Sequence, residues 1–151
     1  MRIFLAAPFT DQLADGTAGL QREYRRWIES LIGLLESQGH HVFSAHRAEN
    51  WGSAIDPPRI ALRRDFDWID RCDLLVAYVG DPPSPGVQME LGYAAAKGKR
   101  VLVFRNNPAF PYLVDGLDVI VPAQVVTVAH RQDITAAIKS LDLASIGAVR
   151  A

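Results

Sequence analysis

Short, uninterrupted apolar runs separated by amphipathic stretches are the feature that most restricts the fold of this chain. Arg2–Ala7, His41–Ser44, Leu74–Val79 and Arg100–Phe104 read as strands, and Leu117–Val121 as a fifth. Leu20–Ser37 places Tyr24, Trp27, Ile28, Leu31, Leu34 and Leu35 on one helical face, and Gly39 closes that helix. Arg59–Arg71 predicts a helix with Ile60, Leu62, Phe66 and Ile69 toward the core; Val87–Lys97 and Asp133–Leu141 predict two more. Phe9–Ala18 and the stretch from the second strand to Pro58 read as loops. Asp81–Gly86, DPPSPG, reads as a turn that excludes helix and strand. Strands that are apolar on both faces must be covered on both, so the alternation predicts an α/β fold with a parallel sheet between two helical layers. Five strands suggest the doubly wound, flavodoxin-like order 2-1-3-4-5. Ligands of such sheets sit beyond the carboxyl ends of the strands, where the winding reverses. Here that point lies between the first and third strands, which selects Pro8–Thr10 and Asp81–Glu90.

The 151 residues fit a single domain, 1–151, with a tail from about 143 expected to be loosely ordered. At 49% hydrophobic and 22% charged, the chain has enough apolar material for a core without disulfide or metal staples. A net charge of −1 offers no field to hold a nucleic-acid backbone, so no nucleic-acid partner is expected. Cys72 is the single cysteine and reads as a small core hydrophobe. No run approaches the ~20 residues of a membrane span, and the apolar start is too short for a signal peptide, so a cytoplasmic protein is expected. No His, Cys or Asp cluster has metal-ligand spacing, and no Gly-rich dinucleotide or P-loop motif occurs; neither metal nor cofactor is expected.

At the selected point the chain reads Asp81-Pro-Pro-Ser84-Pro-Gly86-Val-Gln-Met-Glu90, a turn feeding directly into a helix. Free amides and the positive end of the helix dipole suit a phosphate there. Ser84 adds a hydroxyl, and Gly86 permits close backbone approach. On spacing alone, Glu90 reads either as a first-turn helix stabiliser or as a carboxylate nucleophile kept ionised by the dipole. Phe9 reads as a platform for a base or as core packing. His46 and Arg47 follow the second strand and read as donors to a base carbonyl or phosphate, or as a solvated loop.

The stretch Asp65-Phe-Asp-Trp-Ile-Asp-Arg-Cys-Asp73-Leu-Leu-Val-Ala-Tyr, followed by Ser84-Pro-Gly-Val-Gln-Met-Glu90-Leu-Gly-Tyr-Ala, resembles the nucleoside 2-deoxyribosyltransferase superfamily. Its Ser-x-Gly-x-x-x-Glu spacing is similar to the nucleotide N-glycosidase branch. Ala7-Pro8-Phe9, the Ala45-His46-Arg47-x-x-x-Trp51-Gly52 loop and Tyr112-Leu-Val-x-Gly116-Leu are similar to the CMP and hydroxymethyl-CMP hydrolases of nucleoside-antibiotic pathways. The resemblance spans most of the chain, from the first strand to about Leu117. It implies that Glu90 attacks C1′ of the sugar and forms a glycosyl–enzyme ester, the retaining two-step route of glycosidases. It implies further that Asp65 binds sugar hydroxyls or assists the leaving base, that Ser84 holds a 5′-phosphate, and that Ala7, Pro8, Phe9, His46, Arg47, Gly86 and Tyr112 surround the substrate. Asp65 also reads as part of a solvated helix face beside Asp67 and Asp70. Asp73 precedes its strand and reads as a structural cap at the sheet's opposite end.

Three positions depart from the pattern. Thr10 stands where the hydroxymethyl-CMP hydrolases have arginine, and Val87 where threonine is common. Phe110-Pro111-Tyr112 lacks the serine that mammalian-type nucleotide glycosidases lend to a neighbouring subunit's phosphate, so Arg105 or Tyr112 would have to serve. The expected activity is hydrolysis of a pyrimidine nucleoside 5′-monophosphate, CMP first, in a homodimer whose sites are completed by a partner's Asn106–Tyr112. The alternatives are a nucleoside 2′-deoxyribosyltransferase and a nucleotide-binding sensor without turnover.

Overall fold

The computed structural model of the chain describes residues 1–15 and 19–147. Five strands, β1 (Arg2–Ala6), β2 (His41–Phe43), β3 (Leu74–Tyr78), β4 (Arg100–Arg105) and β5 (Ala123–Thr127), form one sheet. Its order is β2-β1-β3-β4-β5, with every neighbouring pair parallel, as the alternation of apolar runs predicts. Side chains alternate between two cores. Ile3, Leu5, Leu74 and Val76 face α1 (Arg22–Ser37) and α5 (Asp133–Ser140). Phe4, Ala6, Leu75 and Ala77 face α3 (Pro58–Arg71) and α4 (Pro85–Ala96). Complete burial of each Leu or Ile in these layers stabilises by roughly 1.5–3 kcal/mol. The short helix α2 (Ala45–Ala48) follows β2 directly.

Several local expectations give way to the packing. Leu117–Val121 is not a strand: it belongs to or follows a 3-10 run, Tyr112–Val119, and the fifth strand is Ala123–Thr127. Val114, Leu117 and Val121 meet the core at helical spacing, while the sheet edge is taken by a half-buried strand with a weaker apolar signal. On α3, Ile60 and Leu62 are exposed at 55% and 46%, because the helix instead presents Phe66 and Ile69 to the core and its Ala61–Asp65 row to the cavity described below. Pro85 and Gly86 are helical rather than part of a turn, since a proline at the first helical position gives up an amide that would go unpaired anyway. Leu20 pairs with Leu13 in an isolated bridge, so α1 begins only at Arg22. In the expected loose tail, Leu143 and Ile146 are buried in the α1–α5 core; 148–151 lie outside the described residues, as do 16–18 of the first loop. Asp73 sits at the far end of the sheet, where its carboxylate accepts from the Arg2 N–H at 2.6 Å and its own N–H donates to the Arg2 carbonyl.

Candidate active site

β1 and β3 lie side by side, Ala6 opposite Ala77, and their following loops form the rims of a cavity of about 480 Å³. Gly80 fixes how closely the rims approach. It holds φ +85°, and a Cβ there would fall 2.6 Å from Pro8 Cγ. The Pro8 carbonyl accepts from Tyr24 Oη at 2.6 Å and from His46 Nε2 at 2.9 Å, so the end of β1 is tied to both α1 and α2.

Of the expected residues, Ala7, Phe9, His46, Asp65, Ser84, Gly86 and Glu90 line this one cavity. Ser84 is the N-cap of α4, its Oγ 3.5 Å from the Val87 N–H. Ser84, Pro85, Gly86 and Val87 all line the cavity, so the start of α4 opens onto it. Glu90 is the sixth residue of α4, beyond the first turn where the dipole acts. Burial, with a smaller contribution from the Asp65 charge, pushes its carboxyl up to about 8. Burial thus outweighs the helix dipole expected to favour the ionised form of Glu90. Asp65 is also raised by burial, an effect opposed by its hydrogen bond from Arg64.

Pro8, Arg47 and Tyr112 are not among the residues that line this cavity, Pro8 lining a smaller pocket with Tyr24, Tyr78 and Arg131. The expected roles of His46, Arg47 and Tyr112 give way to other partners. His46 lines the cavity but has no donor to spare. The Pro8 carbonyl can only accept, so Nε2 carries the proton, and Nδ1, 3.1 Å from Ser44 Oγ, accepts. Burial lowers His46 to about 4, and its ring packs against Phe9 with centroids 4.9 Å apart. Arg47 points away, to Glu36 at 2.7 Å and to the Val42 carbonyl. Tyr112 is 77% exposed and lines a separate apolar groove of about 660 Å³ with Leu91, Ala95, Leu113 and Ile120. Arg105 is engaged by Asp115 through both terminal nitrogens at 2.8 and 2.9 Å.

The sequence reading missed Glu49 and Asp56, which line the cavity, and Arg64, which binds them both and Asp65. No spacing marks Glu49; its significance appears only when the fold buries it to 5% exposure. Among the described residues the cavity wall thus holds Asp11, Glu49, Asp56, Asp65 and Glu90, and no lysine or arginine. Among the described residues no group of three His, Cys, Asp or Glu is arranged to hold a metal ion, and no helix is long and apolar enough to cross a membrane.

The family model for nucleoside 2-deoxyribosyltransferase matches residues 13–137. The 5-hydroxymethyl-dUMP N-hydrolase of Homo sapiens is 34% identical over 85 residues, which span 54% of this chain and about half, 48%, of the human protein. The CMP N-glycosidase BcmB of Clostridium botulinum superposes with a TM-score of 0.70 at 26% identity, covering 93% of this chain and all of that one. BlsM superposes with a TM-score of 0.74 at 30% identity, covering 96% of this chain and 88% of that one.

Proposed function

The chain belongs to the nucleoside 2-deoxyribosyltransferase family, and from that premise we propose that it hydrolyses the N-glycosidic bond of a pyrimidine nucleoside 5′-monophosphate, CMP foremost. The observation that carries this reading is the meeting of Asp65, Glu90 and the Ser84-capped start of α4 on one cavity. The relatives named for nucleotide N-hydrolysis and CMP N-glycosidase activity support it.

In this mechanism the 5′-phosphate rests on Ser84 and the α4 amides, and the base packs toward Phe9. The Glu90 carboxylate attacks C1′ and the C1′–N bond breaks. The base departs with the bonding pair and takes up a proton, leaving a glycosyl ester on Glu90. Water then attacks C1′, ribose 5-phosphate leaves, and Glu90 is restored. Asp65 and Glu90 titrate as a pair. Attack requires the ionised form of Glu90, which the Asp65 charge opposes. With Glu90 at about 8, roughly a tenth of it is ionised at pH 7, so kcat/KM is expected to rise with pH up to about 8.

The exposed Phe110, Tyr112, Leu113 and Ile120 beside the α4 groove support a homodimer through this face. In that dimer a partner's Asn106–Tyr112 completes each cavity. A mass in sedimentation that stays monomeric at all concentrations, with full activity, contradicts it.

A second reading, base exchange on an unphosphorylated deoxynucleoside, draws on the five acids of the cavity wall, which among the described residues has no lysine or arginine to meet a dianion. The deciding experiment supplies CMP, dCMP, cytidine and deoxycytidine with and without an acceptor base. Cytosine and ribose 5-phosphate from CMP without acceptor is the expected result. Acceptor-dependent turnover of deoxycytidine alone establishes the transferase instead.

A further inference from the structure

Arg64 is the only cation engaged by the acids of this cavity wall among the described residues, and all three of its guanidinium nitrogens are committed. Nε lies 2.9 Å from Asp65 Oδ1, Nη2 lies 2.8 Å from Glu49 Oε1, and Nη1 pairs with Asp56. The three acids come from three segments: the residue after α2, the loop before α3, and α3 itself. The Arg64 side chain is 19% exposed and that of Glu49 7%, so this is no solvent-screened surface pair. One positive charge faces three carboxylates, with Glu90 of α4 a fourth and Asp11, after β1, a fifth on the same wall; His46 of α2 is held neutral by its burial.

We propose that Arg64 is the positioning residue of this site: its guanidinium fixes the Asp65 carboxylate by one oxygen, leaving the other for the ligand, and offsets the negative charge surrounding Asp65 and Glu90. The inference rests on the functional reading above for its kinetic consequences alone. The planar fork of arginine reaches three carboxylates held in different directions, whereas a lysine ammonium supplies the charge without that geometry. Charge and geometry are therefore separable by substitution. The Arg64 charge lowers both Asp65 and Glu90, and Asp56 raises Asp65.

The test is a carbon-detected NMR titration of the Asp65 and Glu90 carboxyls in wild type, Arg64→Gln, Arg64→Lys and Asp56→Asn, with kcat/KM for CMP followed against pH in each. Arg64→Gln is expected to move the Glu90 midpoint up by about one pH unit, and the rising limb of kcat/KM with it. Arg64→Lys is expected to restore most of the midpoint while kcat stays at least about threefold below wild type, the signature of misplaced geometry. Asp56→Asn moves the Asp65 midpoint the opposite way, downward, and keeps the test open should Arg64→Gln fail to fold. Midpoints unchanged in folded Arg64→Gln, or in Asp56→Asn, overturn the inference. Wild type that releases base from no nucleotide overturns the functional reading instead, and leaves the titrations to judge Arg64.

Discussion

The two rims of the cavity use buried titratable groups in opposite ways. On the rim after β1 and β2, His46 spends both ring nitrogens on the protein, one on the Pro8 carbonyl and one on Ser44, and is held neutral down to about pH 4. On the rim built by α3 and α4, Glu90 is half-buried on the cavity wall, has no hydrogen-bond partner among the described residues, and is pushed up to about 8. The first group is satisfied and therefore structural. The second lines the cavity with no hydrogen-bond partner among the described residues, so its cost of desolvation is one that a ligand or a reaction can use. Burial alone does not mark chemistry; a desolvated carboxyl that opens onto a cavity does.

Four substitutions break or sharpen that contrast. Glu90→Gln should abolish base release by at least about a thousandfold while the fold persists. It should also stabilise the protein increasingly as pH rises. A carboxyl whose folded value near 8 exceeds its unfolded value makes folding less favourable from about pH 4.5 up to 8. Melting curves of both proteins at pH 5 and 8 check this; a gap that does not widen removes the burial argument. Ser84→Ala should lower kcat/KM for CMP by about ten- to a hundredfold while hardly changing the low rate on cytidine. An unaltered CMP-to-cytidine ratio moves the phosphate to other residues. His46→Ala should act on stability, by about 1–3 kcal/mol, and leave the pH midpoint of kcat/KM in place. Because the folded His46 lies below its unfolded value, wild type loses stability as pH falls from about 6.5 to 4, and the variant should lose this dependence. A shifted kinetic midpoint would make His46 part of the chemistry. Arg47→Ala should be nearly silent, within about 1 kcal/mol, since its side chain serves Glu36 and Val42 on the outer surface; a tenfold loss of turnover would place it at the substrate after all.

The sheet order was legible because apolar runs of the right length admit few topologies, and the switch point followed from the order. Glu90, Asp65 and Ser84 were legible because a motif brought them together before any geometry was known. What escaped was whatever depends on side-chain direction. Ile60 and Leu62 look like core residues until α3 turns its Ala61–Asp65 row to the cavity. His46 looks like a donor to substrate until the Pro8 carbonyl accepts its one N–H. Leu117–Val121 looks like a strand because an apolar stretch carries no sign of which of its residues will face out, and Ile120 and Val119 do. Glu49 and Arg64 had no local signature, since their pairing joins positions 15 residues apart through a buried contact.

The account stands most directly on the covalent role of Glu90. Rapid acid quench of the enzyme with excess CMP, followed by peptide mass mapping, should find a ribose 5-phosphate adduct on the peptide containing Glu90, absent from Glu90→Gln. Turnover at full rate with the adduct on Asp65, or with no adduct on any carboxylate under conditions where base release outruns ester hydrolysis, would contradict it.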